Sequence, residues 1–141
     1  MLIFLDFDGV LRRKASPPMV FDAECLACFE AAVRAVPRAR VVISSSWRDL
    51  ESLSEIRARF SPDVALRIIG MVGYVLTSDD LPRHREVLAY LKNEGLEGQP
   101  WVAVEDDPVA YPAGAPVLMT DPDRGFDEEA ARRLLELAKR E

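Results

Sequence analysis

The first apolar run of the chain, residues 2–7, carries Asp6-Phe7-Asp8-Gly9, two carboxylates spaced two residues apart. Residues i and i+2 of an extended strand project from the same side, and Gly9 lets the backbone then turn away with dihedrals that other residues avoid. Two further apolar runs end in groups of comparable chemistry. Residues 40–44 lead into Ser45 and Ser46, then Trp47 and Arg48, and residues 101–105 lead into Asp106, Asp107 and Pro108. Strand ends bearing acid, hydroxyl and acid are better explained by one shared site than by three unrelated turns. Carboxylates collected in one place repel and raise one another's pKa unless a cation lies between them, which makes Asp6, Asp8 and Asp106 oxygen ligands for one Mg2+. A cation there neutralises phosphate charge and orients the phosphate for in-line attack. In that chemistry Asp6 is placed to attack phosphorus and form an aspartyl-phosphate. Asp8 is placed to protonate the departing oxygen and later to take a proton from water. The hydroxyl of Ser44 or Ser45, with backbone amides at the end of the second strand, would hold the phosphate oxygens.

Composition leaves room for this chemistry and removes others. The chain has 141 residues, 18 basic and 24 acidic side chains and a formal charge of −6, so one domain over residues 1–141 is expected. The only histidine is His84, which excludes a three-histidine zinc site and makes any serine–histidine or cysteine–histidine pair depend on that residue. The acidic balance argues against a broad nucleic-acid-binding surface, though not against a local basic patch. Cys25 and Cys28, the only cysteines, fall inside a predicted helix and read as small packing residues rather than a redox or zinc pair. No apolar run approaches the ~20 residues of a membrane span. A soluble, cytoplasmic protein is expected.

The elements that must position these groups alternate in period. Continuous apolar runs at 2–7, 40–44, 101–105 and 115–119 read as strands buried on both faces. Helical spacing follows in Leu26, Phe29, Val33 and Val36, behind Asp22 as cap, and in Leu50, Leu53, Ile56 and Phe60, with Asp49 as cap. It recurs in Val87, Leu88 and Leu91, stopping at Gly95, and in Ala131, Leu134, Leu135 and Ala138 behind Asp127. Residues 61–76 predict a further strand and a loop. The result is an α/β fold: a three-layer, Rossmann-like parallel sheet with helices on both faces, binding ligands at the carboxyl ends of its strands.

These residues resemble the haloacid dehalogenase (HAD) superfamily of phosphohydrolases, with LDFDGVL (5–11) as motif I, VVISSS (41–46) as motif II and VAVEDD (102–107) as motif IV. The resemblance implies a Mg2+-dependent phosphatase with Asp6 as nucleophile, Asp8 as general acid/base and the Asp8 backbone carbonyl as a metal ligand. Asp106 becomes the metal-binding acid, supported by Glu105 and Asp107. Motif III departs from the pattern: of Lys14, Lys92 and Lys139, none stands near the start of the helix before motif IV, and Arg83 or Arg85 takes that place. With ISSSWR, RHREVLAYL and TDPDRGF (120–126), the chain looks like the small, cap-poor HAD domains of Swiss Army Knife RNA-repair proteins. Residues 12–40 leave no room for a sizeable cap. Uncapped relatives often act on phosphates of large molecules or close the site by oligomerising, so the resemblance implies a phosphorylated substrate, a small molecule or a nucleic-acid end.

Further residues could touch such a substrate. Arg12, Arg13 and Lys14 follow motif I and would steer a polyanion, and Trp47 and Arg48 would stack on a base and contact a phosphate. Each also has a plain structural reading, as solvated loop or packing. Asp121 and Asp123 shape a turn. The alternative to an enzyme is a non-catalytic HAD-fold binding or regulatory module, against which the complete motif I argues.

Overall fold

The computed structural model describes residues 1–76 and 80–140. Five short strands form one sheet: β1 (Leu2–Leu5), β2 (Arg40–Ile43), β3 (Ile68–Met71), β4 (Trp101–Glu105) and β5 (Val117–Met119). All pairings are parallel and the order is β3-β2-β1-β4-β5, which puts the strand carrying the DxD sequence in the centre. The helices are α1 (Ala23–Arg34), α2 (Leu53–Arg57), α3 (Pro62–Ala65), α4 (Pro82–Asn93) and α5 (Glu128–Lys139).

Alternation along the central strands divides the core in two. Ile3, Leu5, Val41, Ile43, Val102 and Val104 face one layer with Phe29, Ile56, Val64 and Leu134 from α1, α2, α3 and α5. Leu2, Phe4, Val42 and Ala103 face the other, with Val87 and Leu91 of α4. A strand with apolar side chains on both faces needs a helical layer on each side, and this sheet has both. Among the described residues only α1 and loops lie between β1 and β2, and only α4 and loops between β3 and β4, so the fold carries no large cap domain.

Local signals explain most boundaries. The Asp127 carboxylate accepts the Ala130 N–H at 3.0 Å and starts α5, while Gly95, at φ +67°, ends α4 in the left-handed region. Two expected caps are corrected. Asp22 stands at the N-cap of α1 but makes no capping bond there; its carboxylate accepts instead from the Arg13 N–H and the Ser16 hydroxyl, tying down the loop after β1. The helix expected to begin behind Asp49 begins later. Ser46–Asp49 is a 3-10 turn, Leu50 is 72% exposed, and a reciprocal Ser52–Glu55 capping box starts α2. The expected first strand also stops early, at Leu5, which leaves Asp6 and Asp8 on the turn beyond it.

Candidate active site

Register alone brings the first site groups together. Leu5 pairs with Ile43 on one side and Val104 on the other, so Asp6, Ser44 and Glu105 come next on three adjacent strands. Because Leu5, Ile43 and Val104 face the α1–α5 layer, these three point to the opposite side, beneath the first turn of α4. The Asp6 N–H still bonds the Val104 carbonyl, and the Ser44 N–H the Leu5 carbonyl, so both are held by the sheet ladder.

Carboxylate oxygens of Asp6, Glu105 and Asp106 lie within 4.8 Å of one another. Asp6 is 8% exposed, and one of its oxygens accepts the Phe7 N–H at 2.9 Å. Arg83, in the first turn of α4, reaches over the group: its guanidinium stands 3.9 Å from Asp6, 3.6 Å from Glu105 and 3.4 Å from Glu86. Glu86 also binds Arg48 at 2.9 Å, with both side chains 5% exposed, and Arg48 donates to the Ser44 carbonyl. A chain of alternating charge thus runs from Asp6 through Arg83 and Glu86 to Arg48.

The carboxyls of this cluster titrate abnormally high. Burial pushes Asp6 up to about 6, against the opposing pull of Glu105 hydrogen bonding and of Arg83. Burial and the neighbouring Asp6 push Glu105 up to about 8, and burial with Glu105 beside it pushes Asp106 up to about 6. With every group ionised, four carboxylates face the two guanidiniums of Arg48 and Arg83 and leave an excess of negative charge that a divalent cation would offset. The donor set is all oxygen, which suits Mg2+. Ser44 Oγ, Arg48 Nε and the Tyr111 hydroxyl are buried without a protein partner, and charges of the acidic network act on the Tyr111 phenol, which burial pushes up. The residues present therefore fit a cation and a phosphate.

The other expected site residues divide. Ser45 is fully buried and its hydroxyl accepts the Trp47 N–H, capping the 3-10 turn, while Ser46, named at the strand end but not as a phosphate-binding hydroxyl, is exposed and lines the cleft. Arg85 is exposed and contributes nothing to the lining. The Asp107 carboxylate turns to accept the Val109 N–H. Arg13 donates to Glu24 and the Arg124 carbonyl, away from the acids. The Asp8 carboxylate lies outside the three-acid group, with Trp47 and Arg12 on its two oxygens. Trp47 is 3% exposed, so its ring is not offered to a base.

An open cleft of about 500 Å3 adjoins these acids, lined in part by Arg83, Glu105, Glu86, Arg48 and Tyr74. Tyr74 is exposed, lies against the Arg48 guanidinium and hydrogen-bonds Asp49. Glu86 was missed by sequence reasoning, although its spacing from Arg83 is that of a helical ion pair. Gly9 contributes through its carbonyl, which accepts the Thr120 hydroxyl at 2.8 Å and ties the DxD loop to the end of β5.

Residues 2–131 match the family described as the HAD domain in Swiss Army Knife RNA repair proteins, and the chain belongs to that family. No curated protein and no solved structure gave a significant match. No helix among the described residues is long and apolar enough to cross a membrane.

Proposed function

We propose that this HAD domain is a Mg2+-dependent phosphomonoesterase that works through an aspartyl-phosphate on Asp6. The observation that carries the reading is the Asp6 carboxylate itself: buried at the end of the central strand, beneath Arg83 and within one cation's reach of Glu105 and Asp106. Asp6, Asp106 and the Asp8 carbonyl would hold Mg2+, which when bound supplies charge neutralisation to the phosphoryl oxygens. Ser44 and Arg83 bind the phosphate oxygens. An Asp6 oxygen attacks phosphorus, the phosphorus–ester oxygen bond breaks, and Asp8 gives its proton to the departing alcohol. A water molecule then attacks the phosphorus of the aspartyl-phosphate while Asp8 takes its proton, which returns Asp6 as a carboxylate and releases phosphate.

The open cleft and the lack of a large cap support a large phosphorylated substrate, and the family's place in RNA-repair proteins supports a nucleic-acid end. The domain is placed in the cytoplasm on this reading, with oligomerisation as a way to cover the cleft. Phosphate release from small esters, nucleotides and 3′- or 5′-phosphorylated oligonucleotides, with Mg2+ and with EDTA, tests it. Release should require Mg2+ and vanish in Asp6→Asn. Release that survives Asp6→Asn overturns the nucleophile, and a wild type that releases nothing and binds no Mg2+ favours a non-catalytic module.

A further inference from the structure

Asp8 is held on both oxygens by side chains that are themselves immobilised. The Trp47 indole N–H donates to Asp8 Oδ2 at 3.2 Å, and an Arg12 nitrogen donates to Oδ1 at 3.3 Å. Neither donor is free to swing. Trp47 stacks on Phe21 with ring centroids 5.1 Å apart, meets Phe7 edge-on at 5.1 Å, and has the Arg59 guanidinium 4.8 Å above its ring. Arg59 is fixed in turn by two hydrogen bonds to Glu51. The other nitrogens of Arg12 donate to the carbonyls of Pro17 at 2.8 Å and Ser16 at 2.7 Å. The Asp8 side chain itself is half exposed, 49%, so nothing around it other than these two bonds needs to fix its rotamer. An indole buried to 3% exposure needs a hydrogen-bond partner for its N–H. This one points out of the core to a carboxylate at the mouth of the site.

We propose that Trp47, assisted by Arg12, is a positioning residue that aims the Asp8 carboxyl at the ester oxygen. The inference rests on the reading of Asp8 as the acid that protonates the leaving group. A proton transfer of this kind requires heavy atoms within hydrogen-bond reach, and a free rotamer would spend much of its time elsewhere. Trp47 therefore acts through Asp8 and touches no substrate. Arg12 likewise is occupied by Asp8 and the loop carbonyls, which leaves Lys14, exposed on the same loop, as the cation proposed for steering.

Leaving-group dependence separates aim from scaffold. An alkyl phosphate needs its departing oxygen protonated, whereas p-nitrophenyl phosphate departs as a stable phenolate, and kcat/KM reports only the steps through transfer to Asp6. Trp47→Phe keeps most of the ring packing and removes the N–H. It should lower kcat/KM about 10-fold for the alkyl phosphate and leave the aryl phosphate within about 2-fold, following in smaller measure the ~10²–10⁴ discrimination expected of Asp8→Asn. Phe21→Leu, which disturbs the same aromatic group without touching Asp8, should lower both substrates equally or neither. Independently of activity, the chain has two tryptophans, so its indole N–H region holds two resonances. Asp8→Asn should move one of them, the one lost in Trp47→Phe. Equal losses on both substrates in Trp47→Phe while Asp8→Asn discriminates, or indole resonances indifferent to Asp8→Asn, would overturn the inference and leave the phosphatase reading standing. An Asp8→Asn that shows no discrimination overturns the role of Asp8 and the inference with it.

Discussion

Gly9 lies directly against Asp106: a methyl group on its Cα would overlap the Asp106 carboxylate, and its φ of +76° is one that L side chains rarely adopt. The glycine that lets the chain turn after the two aspartates of motif I thus also clears the space for an acid far along the sequence, just past the end of β4. One residue serves the turn and the putting together of the acidic cluster.

Gly9→Ala should accordingly damage the cation site more than the fold. The left-handed φ costs an alanine about 1 kcal/mol, which a domain of this size tolerates, while the overlap displaces Asp106 from Asp6 and Glu105. Isothermal titration should show Mg2+ affinity reduced at least about 10-fold, in the range found when the support of a metal ligand is removed, with the far-ultraviolet circular dichroism of the folded chain retained. Unchanged Mg2+ affinity in a folded Gly9→Ala protein contradicts the assignment of Asp106.

The raised carboxyls give the metal-free domain a stability that depends on pH in a defined direction. Asp6 and Asp106 titrate at about 6 and Glu105 at about 8, so between the ordinary carboxylate range and about 8 the native chain holds protons that the unfolded chain has released. Stability from these groups is complete below that window and is lost as pH rises through it. Asp63, held at about 2 by Arg34, works in the opposite sense but only at lower pH. In EDTA the melting temperature should therefore fall by several degrees from about pH 5.5 to about pH 8.5, since 1 kcal/mol corresponds to about 3–4 °C at this length. Mg2+ should restore it, and more at the higher pH. Calorimetry that finds the melting temperature rising across this range in EDTA, or Mg2+ equally stabilising at both ends, would contradict the cluster.

Local sequence carried the strand ends and missed the side-chain directions. Asp6, Ser44 and Glu105 were legible because parallel pairing and period-2 alternation fix which residues follow the apolar runs and on which face. The α5 cap was legible because Asp127 and Ala130 are neighbours. The start of α2 was misread because Leu50 fits the spacing of Leu53 and Ile56, although Ser52 and Glu55 form the stronger start signal. For Trp47 the sequence left stacking on a base and packing side by side, and the fold decides for packing: its burial comes from Phe7, Phe21 and Arg59, which meet only in three dimensions. Glu86 was half legible, for its pairing with Arg83 is local while its pairing with Arg48 spans 38 residues.

Arg83 stands over the acids from the first turn of α4, and its geometry predicts that lysine will not substitute for it here. A guanidinium touches Asp6, Glu105 and Glu86 together, whereas an ammonium is a single point charge. Arg83→Met should lower kcat/KM about 10²-fold, in the range for removing one oxyanion donor, and Arg83→Lys should recover only part of that loss. Glu86→Gln, which keeps the shape but releases the two arginines, should lower kcat/KM several-fold by the same route, with Asp6 and Asp8 untouched. Full activity in Arg83→Lys would show that only charge is needed, and full activity in Arg83→Met would remove the residue from the site.

The two serines that sequence left as alternatives are separated by what their hydroxyls already do. Ser45 Oγ is engaged as the cap of the 3-10 turn, whereas Ser44 Oγ is buried without a protein partner beside Asp6 in the register. A buried hydroxyl without a protein partner gains a hydrogen bond when a phosphate oxygen meets it. Ser44→Ala should therefore leave the melting temperature unchanged or slightly raised and lower kcat/KM about 10–10²-fold, because the lost donor acts only on bound phosphate. Ser45→Ala should do the reverse, losing about 1 kcal/mol of stability with the cap and little of the affinity for inorganic phosphate as a product inhibitor. Thermal unfolding beside phosphate inhibition distinguishes the two, and a Ser44→Ala protein that is destabilised yet binds phosphate normally would return the role to Ser45.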